Sequence, residues 1–329
     1  MLCWYALNRQ KNLPFLYCCT VLYFDGWIDT LTVTIKQTGL AVCFSSEDFH
    51  TGYVGNWQYP FSQLSYEKVG RMNTKFVEEA ESFLEQHPEI REFDLLLPDM
   101  NAVFRGKRIQ RKKLISIYKK GLYFPASVFA MDVTGETMEE TGLGFKSGDQ
   151  DIPCYPVPGT LKVVPWQKER GQLLLRMHEP DGSPFLGNPR EVLQSVCNKL
   201  SEFGWKAMVA VEIEFYLIDP KRRPGQPPQP VFSSLTGQRE TEGQLYSLSS
   251  LDTNELFLKD ISEAAIIQNI PADTALAELA PGQFEVNLHH VPDAVLACDH
   301  AVLLKRIIRS AAQNHKVEAT FMPKPYPDQ

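Results

Sequence analysis

The sequence lacks several features that would assign it to a specialised class of protein. No apolar run approaches the ~20 residues that a membrane-spanning helix needs. There is no excess of basic residues, since the sequence has 33 Lys and Arg and 40 Asp and Glu. This balance disfavours a general nucleic-acid-binding role. The seven cysteines show no tight spacing pattern, and no Asn-x-Ser/Thr sequon is found. Together these absences favour a reducing cytoplasm over secretion.

What remains is an ordinary globular composition, with 43% hydrophobic and 22% charged residues over 329 positions. This length predicts two domains. Residues 1–71 differ from the rest, because they are poor in charge and hold four of the seven cysteines. Their period-2 alternation at 31–35 suffices for one strand at most. We expect the natural protein to start at Met72, which would leave 1–71 untranslated; an atypical N-terminal extension is the alternative.

Hydrophobic periodicity from residue 72 onward predicts regular elements. It indicates an amphipathic helix at 75–86 and a strand at 93–97. Residues 105–113 hold six basic residues, which predict a solvated face or, alternatively, an anion contact. Residues 135–160 are rich in Gly, Pro and Asp and predict a loop. We assign 72–183 to a first domain.

A second domain is predicted over 184–329. Its first helix begins at Pro189, with Asn188 as N-cap, and ends at Gly204. A long helix is expected at 293–315. The predicted apolar face of the first of these helices comprises Val192, Leu193, Val196, Leu200 and Phe203, and that of the second comprises Ala297, Ala301, Leu304, Ile308 and Ala311.

Two glutamates alternate with apolar residues on one predicted strand. Over 208–217 the apolar side chains would face one way and Glu212 and Glu214 the other. Two carboxylates side by side repel each other unless a cation lies between them. From this stretch alone, a strand face turned to water is the commoner explanation.

A second stretch supplies two more glutamates, and these shift the balance from a water-facing strand towards a cation site. Glu278 and Glu285 flank a Pro-Gly turn, and Glu285 shares a strand face with Asn287. Four acidic side chains on rigid strands predict a site for a hard cation. Carboxylate oxygens suit Mg²⁺ or Mn²⁺, whereas zinc usually recruits His or Cys. Two such ions could bridge the phosphates of ATP during phosphoryl transfer.

These glutamate stretches, Val-Glu-Ile-Glu-Phe at 211–215 and Glu-Leu-Ala-Pro-Gly-Gln-Phe-Glu at 278–285, resemble the glutamine synthetase family. So does Asp-Met-Asn-Ala-Val-Phe-Arg-Gly-Lys-Arg-Ile at 99–109. The stretch Phe-Pro-Ala-Ser-Val-Phe-Ala-Met-Asp at 124–132 looks like the family's gamma-glutamylpolyamine branch. The segment 320–326 looks like the start of the family's ATP-region signature.

The resemblance implies an α+β fold, with a small β-grasp N-terminal domain and part of a catalytic domain built on a curved antiparallel sheet with helices. It implies an ATP-dependent ligase that forms γ-glutamyl phosphate and passes the γ-glutamyl group to ammonia or an amine such as putrescine. It also implies homo-oligomeric rings. The sequence leaves open which amine is used and whether the metal is Mg²⁺ or Mn²⁺.

Site residues follow from the same resemblance. Glu214, Glu278 and Glu285 match ligands of the metal that helps bind glutamate, and Glu212 matches a ligand of the metal beside ATP. Asp99 matches the carboxylate that reaches a neighbouring subunit's site and helps hold the incoming ammonium or amine. The expected nucleotide contact is Lys324, with a structural role as the alternative. Two further residues bear on these assignments: Ala102, which replaces a glycine common in the Asp99 loop, and Gln329, where the sequence stops before the family's Gly-Ser-Gly-x-His-x-His segment.

That stop leads to an expectation about activity. The His-x-His segment supplies a ligand of the second metal, and the family's phosphate-binding arginines lie further on. We therefore expect a chain confined to residues 1–329 to be inactive by itself. A different class of function is the alternative: a truncated, non-catalytic subunit or pseudoenzyme that associates with rings of the family.

Overall fold

A computed structural model of the chain describes residues 74–221 and 225–326. Before them it describes the backbone of four short strands within residues 2–45, and side chains are described from residue 76 onward. The predicted start at Met72 lies outside the described residues.

The described part of the chain divides into two compact units. The first unit lies at 74–198, and the second unit joins residues 199–326 to the four N-terminal strands. Within these ranges no helix is both long enough and apolar enough to cross a membrane.

The helices of the described residues, in chain order, are α1 (Thr74–Gln86), α2 (Leu114–Lys120), α3 (Pro189–Glu202), α4 (Leu248–Thr253), α5 (Glu255–Ile267) and α6 (Ala294–Asn314). The strands are β1 (Leu2–Asn8), β2 (Leu16–Thr20), β3 (Thr30–Ile35), β4 (Leu40–Ser45), β5 (Glu92–Pro98), β6 (Phe104–Gln110), β7 (Leu122–Pro125), β8 (Asp151–Pro156), β9 (Lys162–Val163), β10 (Arg170–Met177), β11 (Trp205–Ile218), β12 (Ala272–Ala277), β13 (Gln283–Leu288) and β14 (Glu318–Thr320).

The first unit is built on a mixed sheet with the order β6–β5–β10–β8–β7, and β9 pairs with β10. Strands β5 and β10, the first and last long strands of the unit, are neighbours in this sheet and run parallel to each other. Helix α2 follows β6 in the chain. This arrangement confirms the predicted α+β fold with its β-grasp domain. The predicted apolar face of α1 packs into the hydrophobic core of this unit through Phe76, Val77, Ala80, Phe83 and Leu84.

The basic run at 105–113 lies on β6 and the turn that follows it. Arg108 Nε donates to the buried Asp94 carboxylate at 2.7 Å. Arg111 donates to three backbone carbonyls at and beyond the C-terminus of α1. Lys107 Nζ donates to the Tyr123 carbonyl at 2.6 Å. These bonds attach the basic run to the fold, yet Lys107 and Arg108 remain exposed, as do Lys112 and Lys113, which confirms the predicted solvated face for these residues. The anion contact stays a prediction.

The loop predicted at 135–160 is wrong over its last third. Residues 151–156 form β8, which lies between β7 and β10 in the sheet. Its two prolines, Pro153 and Pro156, lower the strand propensity of the segment, so the local sequence does not predict a strand there. Pairing with two neighbouring strands overrides that propensity.

Helix α3 starts where the sequence predicts. Asn188 Oδ1 accepts a hydrogen bond from the Arg190 N–H at 3.1 Å, and Gly204 has φ +73° just beyond the helix end. The predicted apolar face is wrong at two positions, however, because Val196 is 46% exposed and Phe203 is 76% exposed.

A second sheet, with the order β12–β13–β11–β1–β2, forms the second unit, and β14 pairs with β11. Burial alternates along β13, as the sequence predicts. The long helix α6 begins at the N-cap Asp293, whose side chain accepts the Leu296 N–H at 3.1 Å. All five residues of its predicted apolar stripe are buried: Ala297, Ala301, Leu304, Ile308 and Ala311.

The alternation at 31–35 predicts one strand, which the structure confirms, but residues 2–45 hold further strands that the pattern did not indicate. Residues 31–35 do lie in a strand, β3, which pairs with β4, but β1 and β2 are strands as well. The backbone of β1 pairs antiparallel with β11, with Leu2 opposite Val211 and Asn8 opposite Trp205.

Candidate functional site

Strands β11 and β13 carry acidic side chains on the same face of the second sheet. They pair antiparallel, with Glu214 opposite Glu285 and Glu212 opposite Asn287. Residues two apart on a strand share a face, so these four side chains line one face together. The intervening residues of both strands are buried, among them Ile213. This confirms the predicted division of each strand into an acidic and an apolar face.

The turn between β12 and β13, which carries Glu278 at its start, is fixed by backbone geometry. The Gln283 N–H donates to the Ala280 carbonyl at 3.1 Å, and the proline and Gly282 occupy the two central positions. Gly282 has φ +66°, as a type II turn requires at its third residue. The turn also docks on β11, where the Leu217 N–H donates to the Gly282 carbonyl at 2.8 Å. Because a side chain on Gly282 would lie 2.8 Å from the Leu217 carbonyl oxygen, only glycine fits.

Electrostatic coupling joins the four glutamates into one acidic cluster, consisting of Glu212, Glu214, Glu278 and Glu285. Burial, followed by the charges of the other three glutamates, raises the pKa of Glu285 to about 7. The pKa of Glu278 is also raised, first by burial and then by Glu214 and Glu212. The acidic cluster thus holds negative charge that the fold leaves poorly compensated.

Gln283 is a site residue that our sequence analysis missed. Its Nε2 donates to Glu214 Oε2 at 3.0 Å, and its Oε1 accepts from the Ala280 N–H at 3.1 Å. A signal was present in the sequence, because Gln283 precedes Glu285 by two positions and therefore shares its strand face.

The segment that resembles the start of the ATP-region signature lies against the same turn. Tyr326 is buried, and its hydroxyl donates to the Pro281 carbonyl at 3.2 Å. Its ring packs edge-on against Tyr216, with ring centroids 5.5 Å apart. The Tyr216 hydroxyl in turn donates to the Pro323 carbonyl at 3.4 Å. Lys324, between these two anchors, is exposed.

Asp99 lies in the first unit, in the turn between β5 and β6, where its carboxylate is used by its own loop. One oxygen accepts the N–H groups of Asn101 and Val103, both at 2.9 Å. The other accepts from Arg105 Nε at 2.9 Å, and the Asp99 side chain is only 1% exposed. Ala102 has φ +52°, a left-handed conformation that explains why glycine suits this position.

The acidic cluster offers the right donor chemistry for a hard divalent cation. All four side chains end in carboxylates, the ligands that Mg²⁺ and Mn²⁺ prefer. In their present positions, no three His, Cys, Asp or Glu side chains of the described residues are grouped so that they could hold a metal ion. Like charges repel and spread apart, and a cation would offset that repulsion.

Comparison with known proteins agrees with this picture. Residues 186–329 match the family described as glutamine synthetase, catalytic domain. The chain is 45% identical over 267 residues to the gamma-glutamylputrescine synthetase of Escherichia coli, which covers 81% of this chain and 56% of that protein. It is 28% identical over 262 residues to a glutamate–isopropylamine ligase of a Pseudomonas species, covering 77% of this chain and 54% of that protein. The chain spans about half the length of the curated relatives it matches.

A solved structure supports the fold. The cryo-EM structure of Plasmodium falciparum glutamine synthetase superposes with a TM-score of 0.61 at 17% identity, over 79% of this chain and 52% of that one. Residues 186–329 are thus similar to the glutamine synthetase catalytic domain, and the solved structure supports the same fold.

Proposed function

We propose that the protein is an ATP-dependent ligase that joins the γ-carboxylate of glutamate to an amine through γ-glutamyl phosphate. The observation that carries this proposal is the acidic cluster, in which Glu214 lies directly opposite Glu285 on neighbouring strands. The match of residues 186–329 to the catalytic domain of the family supports it.

The acidic cluster would hold two divalent cations. Following the family pattern, Glu214, Glu278 and Glu285 hold the cation beside glutamate, and Glu212 contributes to the cation beside ATP. Bound there, Mg²⁺ or Mn²⁺ would neutralise charge on the phosphates and on the glutamate carboxylate. The docked Pro-Gly turn keeps Glu278 and Glu285 close to Glu214, and this preorganisation lowers the cost of binding.

The amine is the finer part of the proposal. We infer that it is putrescine or a similar polyamine rather than ammonia, which the 45% identity to a gamma-glutamylputrescine synthetase supports. Asp99 is proposed to help hold this amine in a neighbouring subunit of a ring. We assign Lys324 to ATP. We also infer a cytoplasmic location from the cysteine pattern and the lack of sequons.

The ligase proposal is tested in a chimera in which the aligned part of this chain replaces the matching part of the E. coli enzyme. Phosphate release from ATP is measured with glutamate and either putrescine or ammonia, together with γ-glutamyl product. We expect glutamate-dependent turnover that is faster with putrescine. The matched variants are Glu285→Gln in the cluster and Glu263→Gln on the exposed surface of α5, and only the first should abolish turnover.

The outcomes separate the parts of the proposal. An ammonia preference would overturn the polyamine assignment and keep the ligase. A folded chimera that binds Mn²⁺ but releases no phosphate would overturn the ligase proposal and favour a non-catalytic subunit.

A further inference from the structure

We propose that Gln283 is a positioning residue, which holds Glu214 in the orientation that a divalent cation requires. The inference rests on the proposed function, because it takes the acidic cluster to bind a cation. It adds a residue outside the four glutamates and gives that residue a role that can be measured apart from catalysis.

The place of Gln283 in the sheet carries the first step of the argument. It is the first residue of β13 and pairs with Tyr216 of β11, so Glu214 is its diagonal neighbour on the same sheet face. Its backbone closes the tight turn, since its N–H donates to the Ala280 carbonyl and its carbonyl accepts the Glu278 N–H at 2.9 Å. The base of this side chain is therefore fixed by the turn.

The side-chain amide makes two bonds of opposite polarity. Oε1 accepts the Ala280 N–H at 3.1 Å, and Nε2 donates to Glu214 Oε2 at 3.0 Å. A backbone N–H must face the amide oxygen and a carboxylate must face the amide nitrogen, so the two partners fix the amide orientation. One side chain thus connects the turn to a glutamate on the neighbouring strand.

The consequence for Glu214 follows from its exposure. Glu214 is an exposed side chain on the strand surface, and a free glutamate there would sample many rotamers. The bond from Gln283 holds Oε2 and leaves Oε1 available, which restricts the carboxylate before any cation arrives. Ordering a ligand in advance improves affinity by removing that entropic cost from the binding step.

The test compares Mn²⁺ affinity across variants of the full chain. Free Mn²⁺ is followed by its electron paramagnetic resonance signal in wild type, Gln283→Met and Gln283→Asn. Methionine keeps the length and removes both bonds, whereas asparagine keeps the amide but is too short to reach both partners. The control is Gln194→Met on helix α3, which also loses a 3.0 Å side-chain bond, to Asn198.

We expect both Gln283 variants to bind Mn²⁺ about threefold to tenfold more weakly than wild type, because the Glu214 side chain must then be ordered in the binding step itself. The rise in melting temperature that Mn²⁺ causes should likewise be smaller in both Gln283 variants than in wild type. Gln194→Met should bind like wild type. A purely structural role would lower the melting temperature of the metal-free protein and leave Mn²⁺ affinity unchanged.

Two results would overturn the inference, and they have different consequences for the proposed metal site. Wild-type affinity in both Gln283 variants, with Glu285→Gln weakened, removes the positioning role and leaves the proposed metal site intact. No saturable Mn²⁺ binding in wild type removes both the metal site and the role of Gln283.

Discussion

Glu214 and Glu285 lie directly opposite each other on neighbouring antiparallel strands of the second sheet. Like charges in this relationship destabilise a sheet, so a fold that maintains it without a counter-charge gives up stability. Burial, followed by the charges of Glu212, Glu278 and Glu214, raises the pKa of Glu285 to about 7. Sites that retain such unfavourable charge are often functional, and the proposed metal site would supply the missing counter-charge.

The first prediction concerns the pH dependence of stability without metal. The folded state raises the pKa of Glu285 from 4.5 to about 7, so the stabilisation that its protonated form provides is complete below pH 4.5. That stabilisation is lost as the pH rises through about 7. In EDTA, Glu285→Gln should therefore gain stability relative to wild type between about pH 5 and about pH 8, measured by melting temperature.

Glu263→Gln is the control for this prediction, because Glu263 is exposed on α5 and pairs with Lys259 at 3.8 Å. Its difference from wild type should stay flat over the same range. A flat difference for Glu285→Gln as well would contradict the raised pKa.

A second prediction concerns Asp99 as an organiser of its loop. Asp99→Ala leaves Arg105 and two backbone N–H groups without their buried acceptor, so we expect a loss of about 3 kcal/mol in the free energy of unfolding by urea. Asp132→Ala is the matched control, since that carboxylate also accepts two backbone N–H groups but lies at the surface. Its loss should be clearly smaller. Equal losses would mean that burial of Asp99 adds nothing.

The Ala102 conformation gives a third prediction. Its φ of +52° strains a residue with a Cβ atom, so Ala102→Gly should stabilise the protein by about 1 kcal/mol. Ala275→Gly on β12 is the opposite case, because glycine in a strand interior costs about 0.5–1 kcal/mol. Urea unfolding of both variants checks the contrast, and destabilisation by Ala102→Gly would refute the argument.

Tyr326 allows a fourth prediction about the attachment of the 320–326 segment. Tyr326→Phe removes the hydroxyl that donates to the Pro281 carbonyl and leaves that buried oxygen without this donor, at a cost of about 1 kcal/mol. The control is Tyr246→Phe. Tyr246 is 67% exposed, so this variant should have the same free energy of unfolding as wild type. An unchanged free energy of unfolding in Tyr326→Phe would show that the bond contributes nothing.

Hydrophobic periodicity in the sequence predicted correctly those elements in which the apolar residues of the pattern are the buried ones. The alternation on β11 and β13 and the stripe of α6 placed Glu212, Glu285 and Leu304 on the correct faces. It failed where partners distant in sequence decide the outcome. Strand β8 depends on its two neighbours in the sheet, and the exposure of Phe203 at the end of α3 follows from packing that helical spacing alone does not encode.

The candidate site shows the same division. The four glutamates stand out because acidic residues on an alternating strand are conspicuous. The link from Gln283 to Glu214 is a contact between residues 69 positions apart, and it depends on the strand register and the turn geometry together. The burial of Asp99 inside its own loop likewise needs the positions of Arg105 and two backbone N–H groups.

The most direct measurement of the central claim is a calorimetric titration of the chain with Mn²⁺, with Glu285→Gln and Glu263→Gln beside it. A metal site at the acidic cluster predicts saturable binding in wild type and Glu263→Gln, and affinity lower by about tenfold or more in Glu285→Gln, because a charged ligand is lost. Equal binding in all three proteins, or no saturable binding in any of them, would contradict it.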